Sequence, residues 1–275
     1  MQRVSARGLI GLAESLSRRD QTITEMVARL RLVSGRQLER LFFADGDTTT
    51  TGARLARRAL LRLTELRVLV RLERRIGGVR AGSAGHVYGL DVAGQRLVAF
   101  WRGEGLIRSR TGLEPGTPFV RHTLAIAEHY VRLVVAERAG VLELLAFSAE
   151  PDCWRDFTGV GGTALTLKPD AFVLLGVGDY EERSFLEIDC GTEGRSALLR
   201  KCRCYLDYFR SGAEQATSGV FPRVVWITTT ERRVALLTEV CAALPPEAWQ
   251  LFVVGTPERA LDLLTGQGAA TGGRG

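Results

Sequence analysis

The stretches LTLKPDAFVLL (residues 165–175) and RSFLEIDCGTEGRSALLRKCRCYLDYFR (residues 183–210) decide how the second half of this chain is read. Each carries a strand-like run, and the second passes Gly191 and Gly194 into a helical segment carrying Leu198, Lys201, Tyr205 and Tyr208. Residues two apart on a strand share a face, so Lys168 and Asp170 are expected to point the same way on one strand, and Glu187 and Asp189 on the next. Side-by-side strands would then converge the carboxylates. Hard oxygen donors of this kind suit Mg²⁺ or Mn²⁺, which bind through one or two carboxylates, water and substrate phosphate. A lysine close by, Lys201 or Lys168, would stabilise charge on a scissile phosphate or orient the attacking water.

Working outward from that centre, PFVRHTLAIAEHYVRLVVAERAG is a long helix from Pro118, stopped by Gly140, and VLELLAFSAE is a strand. After the helix of residues 196–210 come the strand FPRVVWITT, the helix ERRVALLTEVCAAL, the strand LFVVGT and the helix PERALDLL. The order α-β-β-β-α-β-α-β-α describes a mixed sheet flanked by helices.

The first half reads differently. Ile23, Met26, Val27 and Leu30 fall at helical spacing, and Ser34-Gly-Arg-Gln37 is a capping-box start for a second helix. A third helix over about residues 51–67 sets Leu55, Leu63 and Leu66 on one side against Arg54, Arg57, Arg58 and Arg62 on the other. Two strand-like runs around glycine-rich turns follow, carrying Arg71, Arg74, Arg75 and Arg80. Three helices and a basic hairpin make a winged helix-turn-helix, and an arginine stripe on its third helix suits both phosphate contact and guanine readout in duplex DNA. The expected layout is therefore α+β: a winged-helix DNA-binding domain over 1–100, a glycine- and proline-containing connector over 101–116, an α/β domain over 117–265 and a disordered tail over 266–275.

Charge supports that division. Residues 1–116 hold 21 arginines against 11 acids, or +10, and residues 117–275 hold 16 basic residues against 20 acids, or −4. A surface of one sign raises the local concentration of a polyanion, which makes double-stranded DNA the expected partner of the first half. A homodimer suits a winged-helix protein reading two half-sites. Five cysteines without C-x-x-C spacing exclude a disulfide framework and a zinc knuckle. Apolar runs broken by charges exclude a membrane span, no glycine loop with Lys-Ser/Thr marks a nucleotide cofactor, and the expected compartment is the cytoplasm.

The arrangement Pro169-Asp170, a gap, then Glu187-x-Asp189 resembles the PD-(D/E)XK nuclease superfamily over roughly residues 117–255. That resemblance implies Asp170 and Glu187 as metal ligands and Glu128 as the acid supplied by the preceding helix. The superfamily's lysine position falls at Asp189, so its role passes to Lys201 on the following helix, or to Lys168. These are the only lysines among 37 basic residues, and an ammonium is a compact point charge that arginine does not replace well. The whole chain, with its winged helix and the run FLEIDCGTEGRSALLRKCRCYLDYF, resembles the replication-relaxation family of bacterial plasmids and integrating mobile elements, which implies a role in replication initiation or DNA relaxation. Two functions follow: a metal-dependent DNA nickase or nuclease, or a non-catalytic DNA-binding regulator or replication accessory protein with an inactive nuclease-like domain.

Overall fold

The computed structural model describes residues 6–44, 49–75, 85–104 and 115–267. Arg80, the segment 105–114 of the expected connector and residues 268–275 of the expected tail lie outside the described residues. The chain divides into two compact units, residues 1–131 and 132–275.

The first unit opens with α1 (Ala6–Ser15) and α2 (Arg18–Leu30). Ser17 caps α2 through a reciprocal box with Asp20, and Leu16, Ile23, Val27 and Leu30 are buried. The short strand β1 (Val33–Ser34) leads into α3 (Gly35–Phe42), whose box is the expected one: the Ser34 side chain accepts from the Gln37 amide, and Gln37 Oε1 accepts from Ser34 N at 2.9 Å. Next is α4 (Thr49–Glu65), then β2 (Leu69–Arg75), β3 (His86–Leu90), α5 (Val92–Trp101) and α6 (Thr117–Arg138). The three strands form an antiparallel sheet in the order β1-β3-β2.

The rotation of α4 differs from the expected one. Its buried face is Gly52, Ala56, Leu60 and Leu63, whereas Leu55 and Leu66 are 41% and 37% exposed. Gly52 sets this, because a Cβ there would meet the Phe43 carbonyl oxygen at 2.4 Å. Only glycine lets α4 approach the end of α3 so closely, and that contact turns Leu55 outward.

The second unit takes the rest of α6, then β4 (Glu143–Ala149), β5 (Arg155–Thr158), β6 (Ala164–Leu167), β7 (Ala171–Val177), β8 (Tyr180–Asp189), α7 (Arg195–Ser211), α8 (Ala213–Ser218), β9 (Arg223–Thr228), α9 (Glu231–Ala242), β10 (Phe252–Gly255) and α10 (Ala260–Leu264). Its five-stranded sheet has the order β10-β9-β8-β7-β4. The pairs β4/β7 and β7/β8 are antiparallel, while β8/β9 and β9/β10 are parallel, so the sheet is mixed and flanked by helices. The last six residues of β8 and the last five of β9 are buried, as expected of strands covered on both faces. Phe185, Val224 and Trp226 pack with Leu198, Cys202 and Tyr205 of α7 and with Leu237 and Val240 of α9.

One expectation is overturned here. Residues 165–175 are not a single strand: β6 pairs with β5 as a separate two-stranded ribbon, and β7 begins only at Ala171. Pro169 has no N–H to continue a ladder, so the chain leaves one sheet before it and enters the other after it. Lys168 and Asp170 therefore lie in a break between strands and do not share a strand face. Among the described residues no helix is long and apolar enough to cross a membrane.

Candidate functional site

Three of the singled-out residues meet in the second unit. Asp170 is held in the strand break from both sides. Its own N–H donates to Leu186 O at 3.2 Å, its Oδ2 accepts from Ile188 N at 2.6 Å, and Cys153 Sγ donates to Pro169 O at 3.1 Å. Glu187 lies on the same face of β8 as Phe185, the face that α7 covers, and its side chain is fully buried. Lys201 and Tyr205 are one helical turn apart on α7, so both reach it. The Tyr205 hydroxyl donates to Glu187 Oε1, and the Lys201 ammonium contacts Glu187 Oε2 while standing 3.8 Å from Asp170 Oδ1. The same ammonium is 5.4 Å from the ring centre of Trp226, the register partner of Glu187 on β9.

Burial dominates the electrostatics. It pushes the Glu187 carboxyl up to about 8, and the Asp170 charge adds to this against the opposing pull of Lys201 and Tyr205. Burial alone would lower Lys201, but the two carboxylates outweigh it and hold the ammonium above its ordinary value. Cys153 is raised to about 12 by burial and by the same two carboxylates. With Glu187 ionised the trio carries a net single negative charge, and with Glu187 protonated it is neutral.

The other expected members go elsewhere. Asp189 accepts from Arg233 Nε and Nη2, from Thr228 Oγ1 at 2.9 Å and from Gly191 N at 3.1 Å. Although burial raises it, these donors together bring its carboxyl below the ordinary value. Its charge is matched by a two-pronged arginine contact. Lys168 is exposed and lies over Trp154, 4.5 Å from the ring centre. Glu128 belongs to the first unit, where it pairs with Arg40 Nη1 at 2.6 Å and accepts from Gln37 Nε2 at 3.2 Å. Sequence reasoning missed Arg233, whose position 44 residues beyond Asp189 gives no local signal, and Tyr205 as a donor to Glu187. Among the described residues no group of three or more His, Cys, Asp or Glu is assembled to hold a metal ion.

In the first unit, Arg54, Arg57, Arg58 and Arg62 form an exposed row on α4. Arg62 pairs with Asp20 at 2.5 Å and Arg57 Nε donates to Ala53 O at 3.2 Å. Arg54 and Arg58 have no acidic partner among the described residues. Of Arg74 and Arg75 only the backbone, in β2, is described.

Comparison with known proteins gives one match. The family model described as Replication-relaxation matches residues 25–224, a span running from α2 of the first unit to β9 of the second. No curated protein and no solved structure gives a significant match.

Proposed function

The chain belongs to the replication-relaxation family, and from that premise we propose that it acts in the replication of a plasmid or integrating mobile element by binding duplex DNA with its first unit and nicking it with a cation-dependent centre in its second. The first unit supports a winged helix-turn-helix: α2, α3 and α4 are followed by the β2/β3 hairpin, and α4 in the recognition position exposes four arginines. For the second unit the observation that carries the reading is the Lys201 ammonium against Glu187 and 3.8 Å from Asp170, because it shows two carboxylates from different segments aimed at one positive charge. The element order and mixed sheet fit a nuclease-like domain of the PD-(D/E)XK kind, with the lysine moved from the Asp189 position onto α7.

A divalent cation fits this donor set in chemistry and number. Two carboxylates with water and substrate phosphate make an ordinary Mg²⁺ or Mn²⁺ shell, and a third protein ligand is not required. Asp170 and Glu187 would hold the ion, which supplies Lewis acidity and an activated water. Ile188 N fixes Asp170 and Tyr205 fixes Glu187, so both carboxylates are oriented before substrate arrives. Lys201 then offers its charge to a scissile phosphate in place of Glu187.

Incubation of supercoiled plasmid with the protein and Mn²⁺ tests this. Conversion to open circles is expected, lost in Asp170→Ala and Glu187→Ala while duplex affinity persists, with Lys201→Met slower than Lys168→Met. A second reading, a non-catalytic regulator, is favoured by one specific observation: the Lys201 ammonium already contacts Glu187 and stands 3.8 Å from Asp170, so a positive charge of the chain itself lies where a cation would be held. Intact plasmid together with no Mn²⁺-induced thermal shift would decide for that reading.

A further inference from the structure

A pocket of about 580 Å³ opens between α2 and α4 in the first unit. It is lined by Arg18, Arg19, Arg58 and Arg62, by Asp20, and by the apolar side chains of Phe43 and Leu55. Arg62 is matched by Asp20, but Arg18, Arg19 and Arg58 have no acidic partner among the described residues. Three unmatched guanidinium groups around one cavity repel one another, and an anion in their midst would reverse the sign of that interaction. Arg19 is pinned rather than free, its guanidinium 5.0 Å from the Phe43 ring centre, so part of the ordering cost is already met. The amides at the start of α2 are already capped by Ser17 and Asp20, so the positive field comes from the side chains.

We infer that this pocket takes a phosphodiester group of the duplex backbone, with its deoxyribose against the apolar side chains of Phe43 and Leu55. Planar arginine forks suit phosphate oxygens, and Leu55, 41% exposed, gains cover from a sugar. The occupant is the DNA backbone because Arg58 belongs to both the pocket lining and the exposed α4 row, so a phosphate held here is continuous with the polyanion that the row would face. The inference rests on the DNA-binding reading above and extends it to α2, with Arg18 and Arg19 as backbone-positioning residues carrying no sequence information.

The test is a salt titration of duplex binding by fluorescence anisotropy on the full chain, with unrelated duplexes, comparing the parent, Arg18→Gln/Arg19→Gln and Arg18→Lys/Arg19→Lys. The Gln pair is expected to bind every duplex more weakly by the same factor. Its log Kd against log salt slope should fall by about one, the loss of one phosphate contact. The Lys pair keeps most of the slope, which separates charge from a folding defect. Pyrophosphate, scored by thermal shift on the same proteins, distinguishes a free phosphate anion from the duplex backbone. If pyrophosphate stabilises the parent but not the Gln pair while duplex binding is unchanged, the duplex assignment is overturned. An unchanged slope with no pyrophosphate effect overturns the site altogether. A parent that binds no duplex defeats the DNA reading itself, whereas a binding parent with an indifferent Gln pair defeats only this inference.

Discussion

Glu187 and Asp189 stand two residues apart on one strand, yet their environments drive them in opposite directions. Glu187 has a folded-state value of about 8 against an ordinary 4.5, so between those limits the folded state holds a proton that the unfolded chain has lost. Stability contributed by that proton is fully present below the lower limit and is lost as pH rises through the upper, at about 1.4 kcal/mol per pH unit. Metal-free parent should therefore lose stability relative to Glu187→Gln between pH 5 and pH 8, and parallel melting profiles would refute this. Asp189 runs the other way. Its carboxyl lies below the ordinary value, so its contribution is present at neutral pH and is lost on acidification. Asp189→Asn should lower the melting temperature at pH 7, and the difference from the parent should shrink as the pH falls below the ordinary carboxylate range. The two roles could not be separated in the sequence, because E-x-D on a strand shows only a shared face. What separates them is Arg233 on α9 and Tyr205 and Lys201 on α7, all brought in by tertiary packing. Asp170, Glu187 and Lys201 were legible because their residue types stand out among apolar strands and arginines.

At the scale of the element, α4 and the strand break at Pro169 show what pattern reading captures and what it loses. The span of α4 was close to the expected one, but its rotation was not, since a Gly-x-x-x-Ala face has little hydrophobic signal to set against three leucines. The prediction that follows is severe for so small a change. Gly52→Ala forces a Cβ against the Phe43 carbonyl at 2.4 Å and should destabilise the chain by about 1 to 3 kcal/mol, read in urea unfolding. Gly11→Ala on α1, where nothing lies within 4 Å, is the control expected to be neutral or stabilising. The β5/β6 ribbon escaped the sequence because its turn, Gly159 to Thr163, interrupts both strands before a period accumulates. Proline in the run LTLKPDAF was the available signal for the break.

Over the whole molecule, the charge division and the compact units do not coincide. The arginine excess ends near residue 116, whereas the units divide at Val131 and Arg132, inside α6. Val120 and Leu124 pack with Leu32, Leu72 and Val87, and Gln37 Nε2 donates to Leu124 O at 3.0 Å. A fragment of residues 1–116 lacks all of these contacts. It should be less stable than residues 1–138 by about 3 to 6 kcal/mol, two buried aliphatic side chains' worth, measured by chemical denaturation. Equal stability of the two fragments would place the boundary where composition puts it.

The two lysines give the protein a built-in chemical reporter. Acylation of an amine needs the unprotonated nitrogen, and Lys201 is held in its protonated form by Glu187 and Asp170 while Lys168 is exposed over Trp154. An amine-selective acylating reagent at limiting dose should therefore mark Lys168 and the α-amino group and spare Lys201, a difference that peptide mass spectrometry resolves directly. A cation that took the two carboxylates would release Lys201 from them and lower its proton affinity. Rising Lys201 acylation with Mn²⁺ would then register occupancy of the centre with no turnover required, and unchanged labelling across a saturating titration would show that the ammonium never yields its place.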